Sequence, residues 1–347
     1  MAFLTEYGLF LLKAVTIVAG ILFLVAGIMA LGQRRRHEAE GHIEVEDLGD
    51  RFQGFEDDIK SSIYSDDELK AWHKEERRKE KAERKAAKKH REDEPQRKRI
   101  FVLDFDGDIR ASAVDFMREE ISAILTLATQ EDEVLLRLDS GGGMVHTYGL
   151  AASQLQRLIN AGIALTVSVD KVAASGGYMM ACIAPHIIAA PFAIIGSIGV
   201  MAQLPNFYRL LKKHDIDVEL HTAGEFKRTL TMLGENTEKG RRKFIEELEE
   251  THQLFKLHVG QHRPQIDIDH IATGEVWYGV QALEKSLIDA VQTSDEYLMA
   301  NRQDCDLYRI EYVVKKHWQD RLGHVLETST DRVALRWLQR LTQRGFW

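Results

Sequence analysis

The chain has 347 residues, with 46 lysines and arginines against 54 aspartates and glutamates, and a net charge of −8. This acidic balance argues against nucleic-acid binding, and two cysteines are too few for a disulfide framework. With 44% hydrophobic residues, the chain can bury a core. Cys182 lies in an apolar run and Cys305 in a polar one, so we expect neither a metal pair nor a redox pair.

The amino-terminal segment has the character of a membrane anchor. Residues 14–31 are apolar and uncharged, and as a helix they would span about 27 Å, close to the thickness of a bilayer core. Residues 8–12 are also apolar, and the stem of Lys13 can reach the interface. We therefore predict a transmembrane helix over residues 8–31 in contact with membrane lipid. A cleaved signal peptide is the alternative, which the basic residues that follow disfavour.

The charges that flank this helix predict its orientation. Arg34, Arg35 and Arg36 follow it directly, whereas the amino-terminal side offers only Lys13 and the terminal amine. The positive-inside rule therefore favours the cytoplasm for the rest of the chain.

Two charged segments flank the central part of the chain. Residues 32–99 are predicted to be a juxtamembrane linker, because more than half of residues 34–99 are charged, and the basic second part has the composition of a solvated helix. At the other end, residues 314–347 are predicted to be a basic amphipathic tail. Its arginines recur at four-residue spacing beside apolar residues: Arg332, Arg336, Arg340 and Arg344. Such a helix could lie on a membrane surface or pack on a neighbouring subunit.

Residues 100–313 alternate between short β-branched runs and helical periodicity, which predicts an α/β domain with a largely parallel sheet. Strands are predicted at 100–105, 134–138 and 163–169, with helices between them. A further uncharged apolar stretch, 187–204, contains a proline and glycines and is predicted to be buried sheet with a tight turn rather than a second membrane span.

Two glycine-rich turns follow predicted strands, at the edge where α/β sheets usually bind ligands: residues 139–143 and 173–177. Ser175 has small residues before it, two glycines after it and then the start of an apolar helix at 178–183. A serine in this position can act as a nucleophile if a base is near. Plain turn chemistry is the alternative.

The sequence does not single out the general base that Ser175 would need. His146, His186, His214 and His221 are candidates, and none lies in a context that distinguishes it. Lys227 is another candidate. A lysine can act as a base only where burial lowers its pKa enough to neutralise it. A solvated lysine is the ordinary interpretation.

Several runs together resemble the membrane-bound serine peptidases of the signal peptide peptidase A family over nearly the whole chain. The matching runs are 171–178 around Ser175, 196–200, 224–227, and 274–279 followed by Ala282 and 287–289. The resemblance implies the fold of stacked β-β-α units shared with ClpP and the crotonases.

The resemblance also implies the chemistry. Ser175 would be the nucleophile and Lys227 the general base of a Ser-Lys dyad, with Ser197 orienting the lysine. Backbone N–H groups of Gly142 or Gly143, and of Gly176, would form the oxyanion hole. The resemblance further implies a peptide substrate, no metal or cofactor, a bacterial inner-membrane location and a homo-oligomer that could complete the dyad across subunits. It also suggests a site that faces the membrane surface or the periplasm, which is the alternative to the cytoplasmic side favoured by the flanking arginines.

One position departs from the family pattern. The usual Ser-Pro-Gly-Gly turn has Gly141 in place of the proline, which leaves the turn less pre-organised by about 0.4–1 kcal/mol. We expect activity to survive this change.

Two other functions remain open beside the peptidase. A crotonase-like acyl-CoA enzyme shares the fold but has no use for both Ser175 and Lys227, and a catalytically silent membrane scaffold needs neither. A Ser-His-Asp triad of the ClpP kind would need a histidine near Val200, where the sequence has none.

Overall fold

The computed structural model describes residues 41–89 and 97–314, together with five helical positions before them: Leu12, Lys13, Val15, Thr16 and Gly20. Apart from those five positions, the predicted anchor at 8–31 lies outside the described residues. So does the predicted tail at 314–347, apart from Val314. Within the part of the chain that is described, no helix has the length and apolar character needed to cross a membrane.

The chain divides into two compact units. One comprises residues 43–311, and the other comprises residues 1–42 with 312–347. In the second unit, the backbone N–H of Gly41 donates a hydrogen bond of 2.9 Å to the hydroxyl of Tyr312.

Strands and helices alternate along the described chain, as the sequence predicts. The strands are β1 (Gly41–Asp47), β2 (Lys98–Gly107), β3 (Glu133–Ser140), β4 (Ala164–Val169), β5 (Val172–Ala174), β6 (His186–Ala189), β7 (Ile194–Gly196), β8 (Val276–Tyr278), β9 (Ala290–Val291) and β10 (Cys305–Val314). The helices are α1 (Leu48–Ile63), α2 (Asp66–Lys89), α3 (Val114–Leu125), α4 (Val145–Asn160), α5 (Gly176–Ala181), α6 (Tyr208–Lys213), α7 (Glu238–His262), α8 (Ile268–Ile271), α9 (Gly279–Glu284) and α10 (Ser294–Asn301).

The strands form one sheet with a branch. Its main order is β1-β10-β2-β3-β4-β6-β9, and β5 leaves this path by pairing with β3 and β7, while β7 pairs with β8. From β10 to β9 the main path is parallel, and so are β3-β5 and β5-β7. The pair β7-β8 is antiparallel. This mixed α/β architecture fits a ClpP-like fold.

Both faces of the sheet are covered, because side chains of alternate residues in a strand point to opposite faces. In β2, Phe101, Leu103 and Phe105 join the main core with α3 and α4. Ile100 and Val102 join a second cluster on the other face, which includes Leu48 and Leu298. This arrangement explains the nearly continuous apolar runs of β2 and β3.

The sheet begins earlier than the sequence predicted. The boundary was expected at residue 100, with residues 32–99 as a linker, but β1 joins the sheet and Leu48 is buried in the second cluster. Phe52 of α1 packs against the same cluster. The acidic part of this segment therefore belongs partly to the folded unit, because a few apolar residues among many charges are sufficient to hold it there. The basic part forms α2, in line with the predicted solvated helix.

The stretch 187–204 is only partly sheet. β6 and β7 account for its first half, with Pro191 in the turn between them. The chain leaves the sheet after Gly196; Ile198 is still buried, and Met201 is 83% exposed.

A buried ion pair ties β2 to the turn before β3 and predicts acid sensitivity. Asp132, only 2% exposed, accepts hydrogen bonds from Arg99 at 2.6 and 2.9 Å and from the N–H of Thr129 at 2.7 Å. Burial raises the pKa of this carboxyl, but the hydrogen bonds outweigh burial and lower the pKa to about 2.

Because this pKa is depressed in the folded state, the stabilisation is complete above the ordinary value near 4 and is lost as the pH falls towards 2. We expect Asp132→Asn to lower the free energy of unfolding by about 2 kcal/mol at pH 7 and by about half as much at pH 3. Urea unfolding of the full chain in detergent at both pH values measures this. An equal loss at pH 7 and pH 3 would contradict the assignment.

Candidate active site

Three adjacent parallel strands end at the same edge of the branch, and each is followed by or ends in a serine. Ser140 at the end of β3 pairs with Ala173 of β5, and Ala174 pairs with Gly196 of β7. Ser140, Ser175 and Ser197 therefore lie at neighbouring strand ends, although they are far apart in the chain. The carboxyl ends of parallel strands are the usual ligand-binding edge of an α/β sheet.

Ser175 has a strained backbone between strand and helix. Its φ is 52° and its ψ is −117°, a conformation that costs a non-glycine residue of order 1–3 kcal/mol. Its N–H donates to the carbonyl of Gly196 at 2.8 Å, and its carbonyl accepts from the N–H of Met179 at 3.0 Å. The side chain is partly exposed, while both neighbours are buried. The sheet and α5 thus hold the Ser175 hydroxyl at an accessible bend.

The first glycine turn lies against this bend. Gly142 has a φ of +86°, and a Cβ added there would lie 2.6 Å from the nitrogen of Gly176 and 2.8 Å from the Cβ of Ser175. The N–H of Gly142 donates to Ser140 Oγ at 3.1 Å. Within the described residues, the N–H groups of Gly143 and Gly176 have no hydrogen-bond partner. These two remain as donors for a developing oxyanion, whereas that of Gly142 is already engaged.

A buried hydrogen-bond network supports the turn. The hydroxyls of Ser140 and Tyr148 lie 2.5 Å apart, and the Tyr148 hydroxyl donates to the carbonyl of Asp108 at 2.7 Å. Burial raises the pKa of Tyr148, so the phenol stays protonated. Sequence reasoning missed Tyr148; the available signal was a tyrosine one helical turn after a glycine run, in a position that α4 turns toward the core.

Ser197 and Lys227 differ in where the single chain places them relative to Ser175. Ser197 is half-buried with a φ of 52°, and its N–H donates to the carbonyl of Glu275 at 2.6 Å. Lys227 is exposed, and its N–H donates to the carbonyl of Gly224 at 3.3 Å. Its side chain makes no hydrogen bond or ion pair within the described part of the chain. The single chain therefore brings the two serines to one edge and leaves the lysine in solvent.

The histidines named as alternative bases are exposed or lie near a carboxylate. His146, His214 and His221 are exposed, and His186 is 3.9 Å from a carboxylate oxygen of Asp289. None of them is hydrogen-bonded to Ser175 in the described residues.

Both cysteines are buried free thiols. Burial raises the pKa of the Cys182 thiol well above its ordinary value, which makes it a poor nucleophile. Among residues 41–89 and 97–314, no three metal-binding side chains cluster.

Comparison with known proteins finds similarity to peptidases along most of the chain. The peptidase family S49 N-terminal domain matches residues 2–155, and the peptidase family S49 domain matches residues 157–307. A probable protease SohB of Haemophilus influenzae is 50% identical over 96% of both chains. A probable protease SohB of Buchnera aphidicola subspecies Schizaphis graminum is 49% identical over 91% of this chain and 92% of its own. Protease 4 of Haemophilus influenzae is 28% identical over 59% of this chain and 36% of its own.

Proposed function

Because the chain belongs to peptidase family S49 and is a peptidase, we propose that it cleaves peptide bonds with Ser175 as the nucleophile and Lys227 as the general base. The observation that carries this proposal is the strained bend at Ser175, which exposes a hydroxyl next to the free N–H of Gly176 and packs against the turn that carries the free N–H of Gly143. A serine held only for turn geometry would not need unpaired donors in both adjoining segments.

The proposed reaction is acyl transfer. Neutral Lys227, oriented by the hydroxyl of Ser197, takes the proton of Ser175 as Oγ attacks the peptide carbonyl. The N–H groups of Gly143 and Gly176 stabilise the oxyanion, which collapses and releases the amine with the proton from Lys227. Water then attacks the acyl-enzyme, gives a proton to Lys227 and restores Ser175. No metal or cofactor takes part.

We further propose that a second copy of the chain completes the site. Lys227 must lose its charge to act as a base, and an exposed side chain has no desolvation to favour that. The surrounding surface supports association, because large apolar side chains are exposed in the same part of the chain: Phe192, Met201, Leu204, Phe207, Leu220 and Phe226. Monomers rarely expose so many together. A homo-oligomer would cover them and bury the lysine.

The location and substrate follow from the sequence features. The helix predicted at 8–31 would anchor the enzyme in a bacterial inner membrane, and Arg34, Arg35 and Arg36 favour a catalytic domain on the cytoplasmic side. A site next to a membrane suits short apolar peptides such as remnants of signal peptides.

The test is fluorophosphonate labelling and peptide cleavage by the full-length protein in detergent. We expect label on Ser175, loss of both labelling and cleavage in Ser175→Ala and Lys227→Ala, and normal activity in Lys212→Ala, which removes another exposed lysine of the same segment. Mixed Ser175→Ala and Lys227→Ala subunits should regain part of the activity if the dyad forms between chains. An intact oligomer that neither labels nor cleaves would favour a scaffold.

The same label tests the orientation. With intact spheroplasts and a fluorophosphonate that cannot cross the membrane, we expect labelling only after lysis. Labelling before lysis would put Ser175 in the periplasm and contradict the cytoplasmic orientation.

A further inference from the structure

Tyr148 lies between the two segments that carry the proposed oxyanion donors. It is fully buried on α4, and a Cβ built on Gly176 would collide with its ring. Its hydroxyl lies 2.5 Å from Ser140 Oγ in the first turn. One side chain therefore contacts the backbone after β5 through its ring and the turn after β3 through its hydroxyl.

The hydrogen bonds around this hydroxyl form a directed chain. The phenol donates its only proton to the carbonyl of Asp108 at 2.7 Å, so Ser140 Oγ is the donor to the phenol oxygen. Ser140 Oγ in turn accepts from the N–H of Gly142 at 3.1 Å. Each bond polarises the next in such a chain, and a buried chain with every member satisfied is rigid.

We propose that Tyr148 and Ser140 are positioning residues that hold the oxyanion hole in its working geometry. The chain of hydrogen bonds engages the N–H of Gly142, and this leaves the N–H of Gly143 as the free donor of the turn. The ring of Tyr148 sets the distance from that turn to Gly176. The inference rests on the proposed function, because it assigns these residues to the same acyl transfer.

A purely structural role predicts something different. A buried tyrosine hydroxyl needs a partner wherever it lies, and its loss would then lower stability alone. A positioning role predicts weaker binding of the tetrahedral transition state without weaker binding of the substrate, because the donors contact the oxyanion and not the ground state.

The test uses the full-length oligomer in detergent with Tyr148→Phe, Ser140→Ala and the double variant. We expect kcat to fall about tenfold or more with KM little changed. Affinity for a peptide boronate, which forms a tetrahedral adduct with serine, should fall by the same factor. The double variant should lose little more kcat and boronate affinity than either single variant, since both substitutions break the same chain of hydrogen bonds. Tyr297→Phe is the matched control, because its hydroxyl donates to Glu133 at 2.6 Å, at the start of β3 and so at the opposite end of that strand from Ser140.

Amide hydrogen exchange of residues 141–143 gives a readout that does not need turnover. We expect faster exchange of these amides in Tyr148→Phe and Ser140→Ala than in the wild-type protein, and an unchanged rate in Tyr297→Phe. If kcat, boronate affinity and exchange in Tyr148→Phe match the control, the positioning role is overturned. If the wild-type protein neither cleaves nor labels, the proposed function fails, and exchange alone then decides whether these residues order the turn.

Discussion

Replacing Ser175 by glycine is expected to abolish peptide hydrolysis while it raises the free energy of unfolding by about 1 kcal/mol. The native φ of 52° and ψ of −117° are unfavourable for any residue with a Cβ and accessible to glycine. Relief of strain is worth of order 1–3 kcal/mol, and the greater freedom of glycine in the unfolded chain offsets about 0.4–1 kcal/mol of it. Urea unfolding and a peptide cleavage assay measure the two effects.

Two further variants separate strain from chemistry. Ser175→Ala should be equally inactive without the gain in stability, because alanine keeps the Cβ. Ser286→Gly should gain stability with full activity, since Ser286 also has a positive φ, 59°, and follows α9 rather than a strand of the proposed site. A Ser175→Gly protein less stable than Ser175→Ala would show that the bend is not strained. Active sites commonly lower the stability of the fold where a catalytic group needs an unusual backbone conformation.

Replacing Gly142 by alanine is expected to reduce activity at least about a hundredfold and to destabilise the fold by about 2–4 kcal/mol. The φ of +86° is unfavourable for alanine. The new methyl group would also lie 2.6 Å from the nitrogen of Gly176 and 2.7 Å from the carbonyl oxygen of Ala174, so one segment must move. Both segments hold proposed catalytic groups, and small displacements of such groups are costly.

The neighbouring residue provides the control. A Cβ on Gly141 meets no atom within 4 Å, so Gly141→Ala should leave kcat/KM and stability nearly unchanged. Thermal unfolding and peptide cleavage of the two variants, measured side by side, test the contrast. Equal losses at Gly141 and Gly142 would mean that flexibility of the whole turn matters, rather than its contact with Ser175.

Local patterns in the sequence determined much of this protein. The alternation of short β-branched runs with helical periodicity predicted the α/β domain, because burial on one or both faces of an element leaves a periodic trace in the chain. The strands near 100, 134 and 163 and the helices between them follow from that trace. Ser175 stood out because its own neighbours, small residues before and glycines after, describe a sharp bend between strand and helix.

Only the tertiary structure decided what depends on contacts between distant segments. The contact of Gly142 with Ser175 arises from the pairing of β3 with β5, and the role of Tyr148 arises from the packing of α4 against both turns; no local period encodes either. The early start of the sheet at β1 was hidden for the same reason, since Leu48 is one buried residue among many charges. The sequence identified Lys227 as a candidate base, but its exposure depends on what surrounds it, because a lysine becomes a base through desolvation that only packing can supply.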